Sequence, residues 1–400
     1  MIRINGKFNT ANVYTDIIED AAYKQILNLM NQKFAEGSHF AIMPDCHAGA
    51  GCVIGLTMKI VDKVVPNLVG VDIGCGMLVV KIDKGFAFDL RKVDKIWNED
   101  IPSGIKHRNT NHQFAHNAKI EDIIAPINTE KLRLSIGSLG GGNHFGEINV
   151  DDEGYHYIVI HSGSRHLGIE VCRHYQGLAI KYHKDKRKSD ISVIEQLKKE
   201  GRQSEIESVL KSQKENLPSI PDELAYLEGE LLDDYLHDMK LAQEYAIWNR
   251  EAMLEVLMSG LGIGNEYVID KFCTIHNYID IENRILRKGA ISLQKDETAI
   301  IPMNMRDGSL IVRGKGNPDW NFSGPHGAGR LMSRSKAKES LSLDEFKESM
   351  NGIYTTCVNK STIDESPMAY KPMDEIIRNI KGTAEIVKTI KPIYNFKASE

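Results

Sequence analysis

The chain has 400 residues, of which 42% are hydrophobic and 26% are charged, enough to form two ordinary domains or one large enzyme domain. Its 50 basic and 55 acidic residues leave a net charge of −5, which excludes a generally basic nucleic-acid coat but not a local basic groove. Its six cysteines form no C-x-x-C pair, so neither a disulfide framework nor a zinc ribbon is expected.

The N-terminal residues lack the apolar core of a signal peptide, and no apolar run is long enough to span a bilayer. We therefore expect a cytoplasmic globular enzyme without a membrane segment. Short apolar or β-branched runs at 68–71, 158–161 and 310–312 are typical of strands. They predict a mixed α/β fold of the α+β class, with central sheets surrounded by helices.

Five glycine-rich stretches also carry His, Asp or Cys. Glycine permits positive φ and close approach to a ligand, while the other three residue types bind metals or move protons. We therefore expect these loops to converge on one site. The stretches are 43–55 (MPDCHAGAGCVIG), 69–77 (VGVDIGCGM), 137–147 (GSLGGGNHFGE), 160–168 (IHSGSRHLG) and 323–330 (SGPHGAGR).

A charged segment at 181–222 is predicted to be a helical insertion within a single domain that spans 1–400, because its sparse apolar residues recur at helical spacing. A second helical run follows at 222–257. The basic residues at 184–188 make a substrate-positioning arm one interpretation. The other interpretation is a solvated insertion with no part in the chemistry.

One carboxylate, one thiol and three imidazoles form a candidate metal site. Asp72 and Cys75 are three residues apart in a turn flanked by glycines. His144 and His161 lie in two other glycine-rich stretches, and His276 lies in T-I-H-N-Y. This donor set suits Mn²⁺, Zn²⁺ or Fe²⁺ better than Mg²⁺ or Ca²⁺. Spacing alone leaves the metal open. It also leaves open the alternative that Asp72 only caps a turn and that Cys75 is only a small residue of the core.

His326 stands among glycines ahead of Arg330 and Arg334. Backbone N–H groups of such a loop and nearby arginines favour an anion, and a neutral imidazole can attack phosphorus. A histidine that only hydrogen-bonds a phosphate is the alternative. The chain has no G-x-x-x-x-G-K-[ST], G-x-S-x-G or G-x-G-x-x-G motif, so any nucleotide is bound by less common means.

Together these motifs resemble the RtcB family of RNA ligases over most of the chain. The resemblance is carried, in the family's order, by M-P-D-C-H, V-G-V-D-I-G-C-G-M, G-G-N-H-F-G-E, H-S-G-S-R-H-L-G, H-N-Y, R-K-G-A, I-V-R-G, H-G-A-G-R-L-M-S-R and P-M-A-Y-K. It implies a fold unrelated to the lysine-dependent ligases, two Mn²⁺ ions per chain and GTP.

The resemblance also implies roles for individual residues. His326 is the residue that becomes covalently linked to GMP, and Cys75 is shared between the two ions. The implied metal ligands are Asp72, Cys75, His144, His161 and His276. The implied nucleotide contacts are Asn143, His144, Phe145, Gly146, Glu147, His276, Asn277, Pro302, Met303, Asn304, Met305, Ser309, His326, Gly327, Ala328, Gly329, Tyr370 and Lys397. The implied phosphate or RNA contacts are Arg165, Arg330 and Arg334.

The implied activity is joining of RNA 3′-phosphate or 2′,3′-cyclic phosphate ends to 5′-hydroxyl ends, through His–GMP and a 3′-guanylylated RNA. An activating protein partner is compatible with this activity. Two alternatives are a metal-dependent cyclic phosphodiesterase that does not ligate and a nonenzymatic RNA-binding relative. The chain departs from the family's small P-G-S-M-G loop with P-M-N-M-R at 302–306, and Ala-Ser-Glu follows Lys397. Because Met303 and Asn304 lack the freedom of glycine, the altered loop puts local nucleotide contacts in question.

Overall fold

A computed structural model of the chain describes residues 1–200, 202 and 220–398. Its strands are β1 (Ile2–Asn5), β2 (Thr10–Val13), β3 (Phe40–His47), β4 (Ile54–Lys59), β5 (Gly76–Ile82), β6 (Phe145–Val150), β7 (His156–Ser162), β8 (Val268–Ile275), β9 (Asn277–Asp280), β10 (Ile285–Lys288), β11 (Ala290–Ser292), β12 (Thr298–Asn304), β13 (Gly308–Gly314), β14 (Ser323–Pro325) and β15 (Ala384–Lys397). Its α-helices are α1 (Asp20–Met30), α2 (Leu90–Glu99), α3 (Thr129–Ser135), α4 (His166–Lys199), α5 (Glu230–Leu261), α6 (Arg334–Ser340), α7 (Leu343–Ser349) and α8 (Met373–Asn379).

The strands form three sheets. The largest is an antiparallel sheet in the order β12-β13-β15-β6-β7-β5-β8, and the second has the order β1-β2-β3-β4-β10-β9 with β2 and β3 parallel. Strands β11 and β14 form a two-stranded sheet. Helices pack around these sheets, so the predicted α+β class is confirmed.

Strand β5 shows why the large sheet is buried on both faces. Successive side chains of a strand point to opposite faces. Leu78 and Val80 therefore pack into a core with Trp97 of α2, while Met77 and Val79 pack into a separate core on the other face. Because neither face is left for solvent, the strand is almost continuously apolar. Its first residue directly follows Cys75, which fixes one end of the strand beside the candidate metal site.

Two of the three predicted strand runs are confirmed, since 158–161 lies in β7 and 310–312 lies in β13. The prediction at 68–71 is wrong. Pro66–Leu68 is a 3₁₀ helix, and the chain then bends at Val71. Pro66 supplies a φ suited to the first turn of a helix, and a four-residue apolar run cannot by itself distinguish a strand from another buried segment.

The predicted insertion begins inside a long helix, because α4 continues through residue 199. Residues 203–219 of the insertion lie outside the described part of the chain. The helical run predicted at 222–257 is interrupted. A 3₁₀ helix at Asp222–Leu224 is followed by the non-helical residues 225–229, in which Leu227 bridges to Val64, and α5 begins only at Glu230. Among the described residues, none of the helices is both long enough and apolar enough to cross a membrane.

Helix α5 carries a buried asparagine that clamps two loops. Asn249 is fully buried, and its Oδ1 accepts hydrogen bonds from the backbone N–H of Gly137 (2.9 Å) and Ser138 (3.1 Å). Its Nδ2 donates to the carbonyl of Gly163 at 3.1 Å. The two loops lead to His144 and away from His161, so this side chain ties both histidines to one helix.

We expect Asn249→Ala to lower the free energy of unfolding by about 3 kcal/mol, because it leaves two buried backbone N–H groups without acceptors. Urea unfolding followed by circular dichroism measures the change. Lys240→Ala, an exposed position of the same helix, is the matched control and should stay within about 0.5 kcal/mol of the unmodified protein. Equal free energies of unfolding for the two variants would contradict this stabilising role of Asn249.

Candidate active site

A tight turn presents Asp72 and Cys75 to the same point. The backbone N–H of Cys75 donates to the carbonyl of Asp72 at 3.2 Å, and Gly74 between them has φ +73°. A Cβ atom added to Gly74 would lie 2.9 Å from the Cβ of Ala246 on α5. Both the positive φ and the close approach to the helix therefore require glycine at this position.

The three histidines reach this turn from strand ends. His144 immediately precedes β6, His161 lies near the end of β7, and His276 joins β8 to β9. Cys75 Sγ is 3.4 Å from His144 Nε2 and 3.3 Å from His161 Nε2. His144 Nε2 lies 3.0 Å from Asp72 Oδ2, and His161 Nε2 lies 3.0 Å from His276 Nε2. The structure thus brings all five predicted ligands together.

Their ligand atoms form two groups that share Cys75. One group is Cys75, His161 and His276, and the other is Asp72, Cys75 and His144; within each group the atoms lie within 4.8 Å of one another. His144 Nδ1 donates to the carbonyl of Leu139 at 2.8 Å, which leaves its Nε2 lone pair facing the group. This nitrogen, oxygen and sulfur donor set fits two borderline divalent cations.

Burial determines the protonation of this cluster. It lowers the pKa of His161 and of His276 well below the usual value, with neighbouring imidazoles lowering both further, so each ring is neutral and able to coordinate. Burial and Asp72 raise the pKa of the Cys75 thiol. For Asp72, burial acts to raise the pKa, but His144 outweighs it and the net pKa is lowered. The Nδ1 atoms of His161 and His276 are buried without a hydrogen-bond partner.

His326 lies beside this cluster, directly after β14, and its ring centroid is 4.8 Å from that of His276. Asp45, a fully buried carboxylate on β3, has its Oδ2 2.7 Å from His326 Nδ1 and 3.1 Å from the His326 backbone nitrogen. The carboxylate therefore holds the proton on Nδ1 and leaves the Nε2 lone pair available for attack. An imidazole held in this way can act as a nucleophile.

Both features open on one cavity of about 350 Å³, a size typical of small-molecule sites. Most of the residues predicted as metal ligands, nucleotide contacts and phosphate or RNA contacts line it. They are Asp72, Cys75, Asn143, Phe145, Glu147, His161, His276, Asn277, Pro302, Met303, Asn304, Met305, His326, Gly327, Ala328, Gly329, Arg330, Arg334, Tyr370 and Lys397. Five glycine-rich stretches far apart in sequence thus meet at one site.

Four predicted residues lie elsewhere than in the cavity lining. His144 is in the metal cluster, and Ser309 Oγ is buried without a hydrogen-bond partner. A Cβ at Gly146 would lie 2.1 Å from Trp97, so this position faces the core behind the cavity. Arg165, with φ +58°, donates to the carbonyl of Gly104 at 2.8 Å, and burial lowers its pKa.

The altered segment at 302–306 comprises the end of β12 and the start of the turn that follows it, and it does not need glycine, because none of its residues has positive φ. Asn304 Oδ1 accepts from the backbone N–H of Arg306 at 3.0 Å and of Asp307 at 2.9 Å. Met303 and Met305 are buried and line the cavity. Met305 stands where the family's loop also has Met, so the departure adds one thioether side chain to this wall, that of Met303, and a turn whose backbone N–H groups are capped by Asn304.

A buried charge network forms the far end of the cavity. Glu365 Oε2 is 2.6 Å from Lys397 Nζ and accepts from the Tyr370 hydroxyl at 2.7 Å. Arg330 Nη1 lies 3.6 Å from the same carboxylate, and Arg334 pairs with it as well. Burial acts to raise the pKa of Glu365, but Lys397 and Arg334 hold it at about 2.

No role was predicted from the sequence for Asp45, which contacts His326, or for His47 and Glu365, which line the cavity. Asp45 and His47 belong to the M-P-D-C-H stretch, and Glu365 precedes P-M-A-Y-K, but the motifs alone do not show which side chains face the site. His47 lines the cavity, and its Nδ1 donates to the carbonyl of Asp45 at 3.0 Å. The contact between Asp45 and His326 depends on the packing of β3 beside β14, which the sequence motifs do not show.

Comparison with known proteins shows the family to which the chain belongs. A family model described as "tRNA-splicing ligase RtcB" matches residues 25–128 and 126–398, so the chain belongs to the RtcB family. The RNA-splicing ligase RtcB of Escherichia coli (strain K12) is 31% identical over 416 residues, covering 94% of each chain. The tRNA-splicing ligase RtcB of Aeropyrum pernix is 26% identical over 473 residues, covering 92% of this chain and 90% of the relative.

Proposed function

We propose that this chain is a GTP- and Mn²⁺-dependent RNA ligase that joins 3′-phosphate or 2′,3′-cyclic phosphate ends to 5′-hydroxyl ends. The observation that carries the proposal is the arrangement of His326. Its Nδ1 is held by Asp45, and its ring opens on the cavity that also contains the Cys75-sharing ligand groups. Family membership supports the same activity, since the relatives named above are RNA- and tRNA-splicing ligases.

Two Mn²⁺ ions fit the donor set described above. Asp72, Cys75 and His144 would hold one ion, and Cys75, His161 and His276 would hold the other. When bound, such ions stabilise negative charge on a transferring phosphoryl group. Neutral imidazoles are the protonation state that coordination requires, and a bound cation deprotonates a coordinating thiol.

The remaining steps use the chain's own residues. Asp45 keeps the proton on His326 Nδ1, and Nε2 attacks the α-phosphorus of GTP; an N–P bond forms and pyrophosphate leaves. Gly327 and Gly329 line the cavity, and backbone N–H groups of this loop would stabilise the transferring group. The RNA 3′-phosphate then takes GMP from His326, and a 5′-hydroxyl attacks the activated phosphate and expels GMP. A 2′,3′-cyclic phosphate is first opened by water at the same site.

Two assays test the proposal. The protein is incubated with GTP labelled at the α-phosphate, and ligation of 3′-phosphate/5′-hydroxyl RNA is compared with ligation of 3′-hydroxyl/5′-phosphate RNA. We expect a covalent protein–GMP adduct and sealing of the first pair only. Cyclic-phosphate opening without an adduct would favour the phosphodiesterase alternative. The RNA contacts of Arg165, Arg330 and Arg334, an activating partner and a cytoplasmic location stay predictions.

Asp45→Asn should slow GMP transfer to His326 by at least about 100-fold, because the amide can hold the imidazole in the wrong tautomer. The affinity for GTP should stay near normal, since Asp45 contacts His326 and is not among the residues that line the cavity. Single-turnover labelling and equilibrium binding of GTP measure the two quantities. Asp319→Asn, an exposed substitution of the same kind, is the control, and an unchanged labelling rate in Asp45→Asn would contradict the role.

The affinity for GTP should fall on acidification. Burial raises the pKa of Glu147 to about 7, and only the ionised carboxylate can accept both guanine N–H groups. Below the pKa the protonated form dominates, so the KM for GTP should rise about tenfold per pH unit under pH 7. Glu147→Gln should have a raised KM that no longer changes with pH in this range. A pH-dependent KM in that variant would assign the effect to another group.

A further inference from the structure

The cavity contains two buried carboxylates with different surroundings. Glu147 is contacted by neutral amides, with Asn395 Nδ2 at 2.6 Å and Asn149 Nδ2 at 3.1 Å. Glu365 is surrounded by the cationic groups of Lys397, Arg330 and Arg334. One carboxylate is therefore left to accept hydrogen bonds from a ligand, while the other is already neutralised.

Lys397 links the two carboxylates, because it pairs with Glu365 and its charge also lowers the pKa of Glu147. Its ammonium has three protons. One is donated to the carbonyl of Asn143 at 2.9 Å, and one to Glu365 at 2.6 Å. Lys397 is 6% exposed and lines the cavity, so the third proton is left for a ligand acceptor.

We propose that Glu365 is a positioning residue that determines nucleotide choice by holding Lys397 as a hydrogen-bond donor beside the Glu147 acceptor. The inference deepens the proposed function and rests on it. A donor next to an anionic acceptor complements guanine, which presents the O6 acceptor beside N–H donors. Adenine presents an N6 donor where guanine has O6, so it meets the ammonium with the wrong group.

The role of Glu365 follows from where Lys397 would otherwise go. Without the Glu365 carboxylate, Lys397 would be left with Glu147, a buried carboxylate of the cavity lining whose pKa its charge already lowers. An ion pair between Lys397 and Glu147 would neutralise the acceptor and occupy the donor, because both charges are shielded from water. The cavity lining would then lose the pairing of a donor with an anionic acceptor that distinguishes guanine from adenine.

The test compares Glu365→Gln with the unmodified full-length protein, using GTP and ATP labelled at the α-phosphate as probes. We expect the KM for GTP to rise about tenfold and the GTP-over-ATP preference to fall about tenfold, with the maximum labelling rate changed less than about threefold. Lys397→Met should show the same loss of preference. Adding Glu365→Gln to Lys397→Met should change little, because Glu365 acts through Lys397.

Glu375→Gln is the matched control, since Glu375 also pairs with a lysine, Lys371 at 3.2 Å, but does not line the cavity. Mn²⁺ binding by calorimetry reports whether each variant is folded. If Glu365→Gln does not bind Mn²⁺, Glu365→Asp is tested in its place. This variant keeps the negative charge but has a shorter side chain to reach Lys397. Its GTP-over-ATP preference should fall in the same direction by a smaller factor.

The possible results separate the two claims. An unmodified protein that forms no adduct with GTP would overturn the proposed function and this inference with it. An unmodified protein that is labelled, together with Glu365 variants that keep its GTP-over-ATP preference, would overturn the inference alone. An equal loss for both nucleotides would also overturn it, because a general structural role does not discriminate between purines.

Discussion

Replacing His326 with alanine is expected to abolish the covalent GMP adduct and to lower joining of 3′-phosphate RNA by at least about 1000-fold. The reason is that Nε2, the atom left free by the Asp45 contact at Nδ1, is the group that attacks phosphorus. His326 is not in either metal-ligand group, so Mn²⁺ and GTP should still bind. Labelling with α-labelled GTP and calorimetry measure these effects.

RNA that already carries a 3′-guanylylated end provides the sharpest version of this experiment. The His326→Ala protein should join it to a 5′-hydroxyl strand, because the missing step has been completed in advance. His166→Ala, a substitution at a half-buried histidine that does not line the cavity, should behave as the unmodified protein does. The adduct of the unmodified protein should be labile in acid and stable in alkali, as expected for a phosphoramidate. An adduct that maps to a lysine would overturn the assignment.

Replacing Cys75 with alanine is expected to have an effect of comparable size on metal binding. Cys75 belongs to both ligand groups, so its loss removes one ligand from each ion. Loss of a supporting contact to a metal ligand typically costs 10- to 100-fold in affinity, and a shared direct ligand should cost at least about 100-fold. GMP transfer should be lost as a consequence. Calorimetric titration with Mn²⁺ and labelling with GTP test both expectations.

Cys75→Ser should restore little, because a serine hydroxyl is far less readily deprotonated than a thiol. Cys172→Ala provides the matched control, since Cys172 is a buried cysteine of α4 that packs into the hydrophobic core. It should leave the Mn²⁺ stoichiometry unchanged. Two ions bound by Cys75→Ala with normal affinity, or full labelling of that variant, would show that the thiolate is not shared.

The sequence by itself determined the candidate chemistry, because residue types limit what a site can bind. One Asp, one Cys and three His restrict the metal to borderline cations, and a histidine among glycines beside arginines indicates an anion site. The glycine-rich stretches also indicated convergence on one site, since such loops follow strand ends. These signals are local in the chain and depend little on how the sheets pack.

Only the tertiary structure decided which side chains act on one another. Asp45 holds a histidine 281 residues away, and no spacing in the sequence predicts this contact. Glu365 pairs with Lys397 because residues before α8 and the end of β15 meet at the same cavity. The strand prediction at 68–71 was wrong for a related reason. The apolar side chains of this run indicate that it is buried, but Pro66 determines the backbone conformation at its start, which is a 3₁₀ helix over Pro66–Leu68. Burial can be read from composition, but partners and their geometry arise when distant segments pack together.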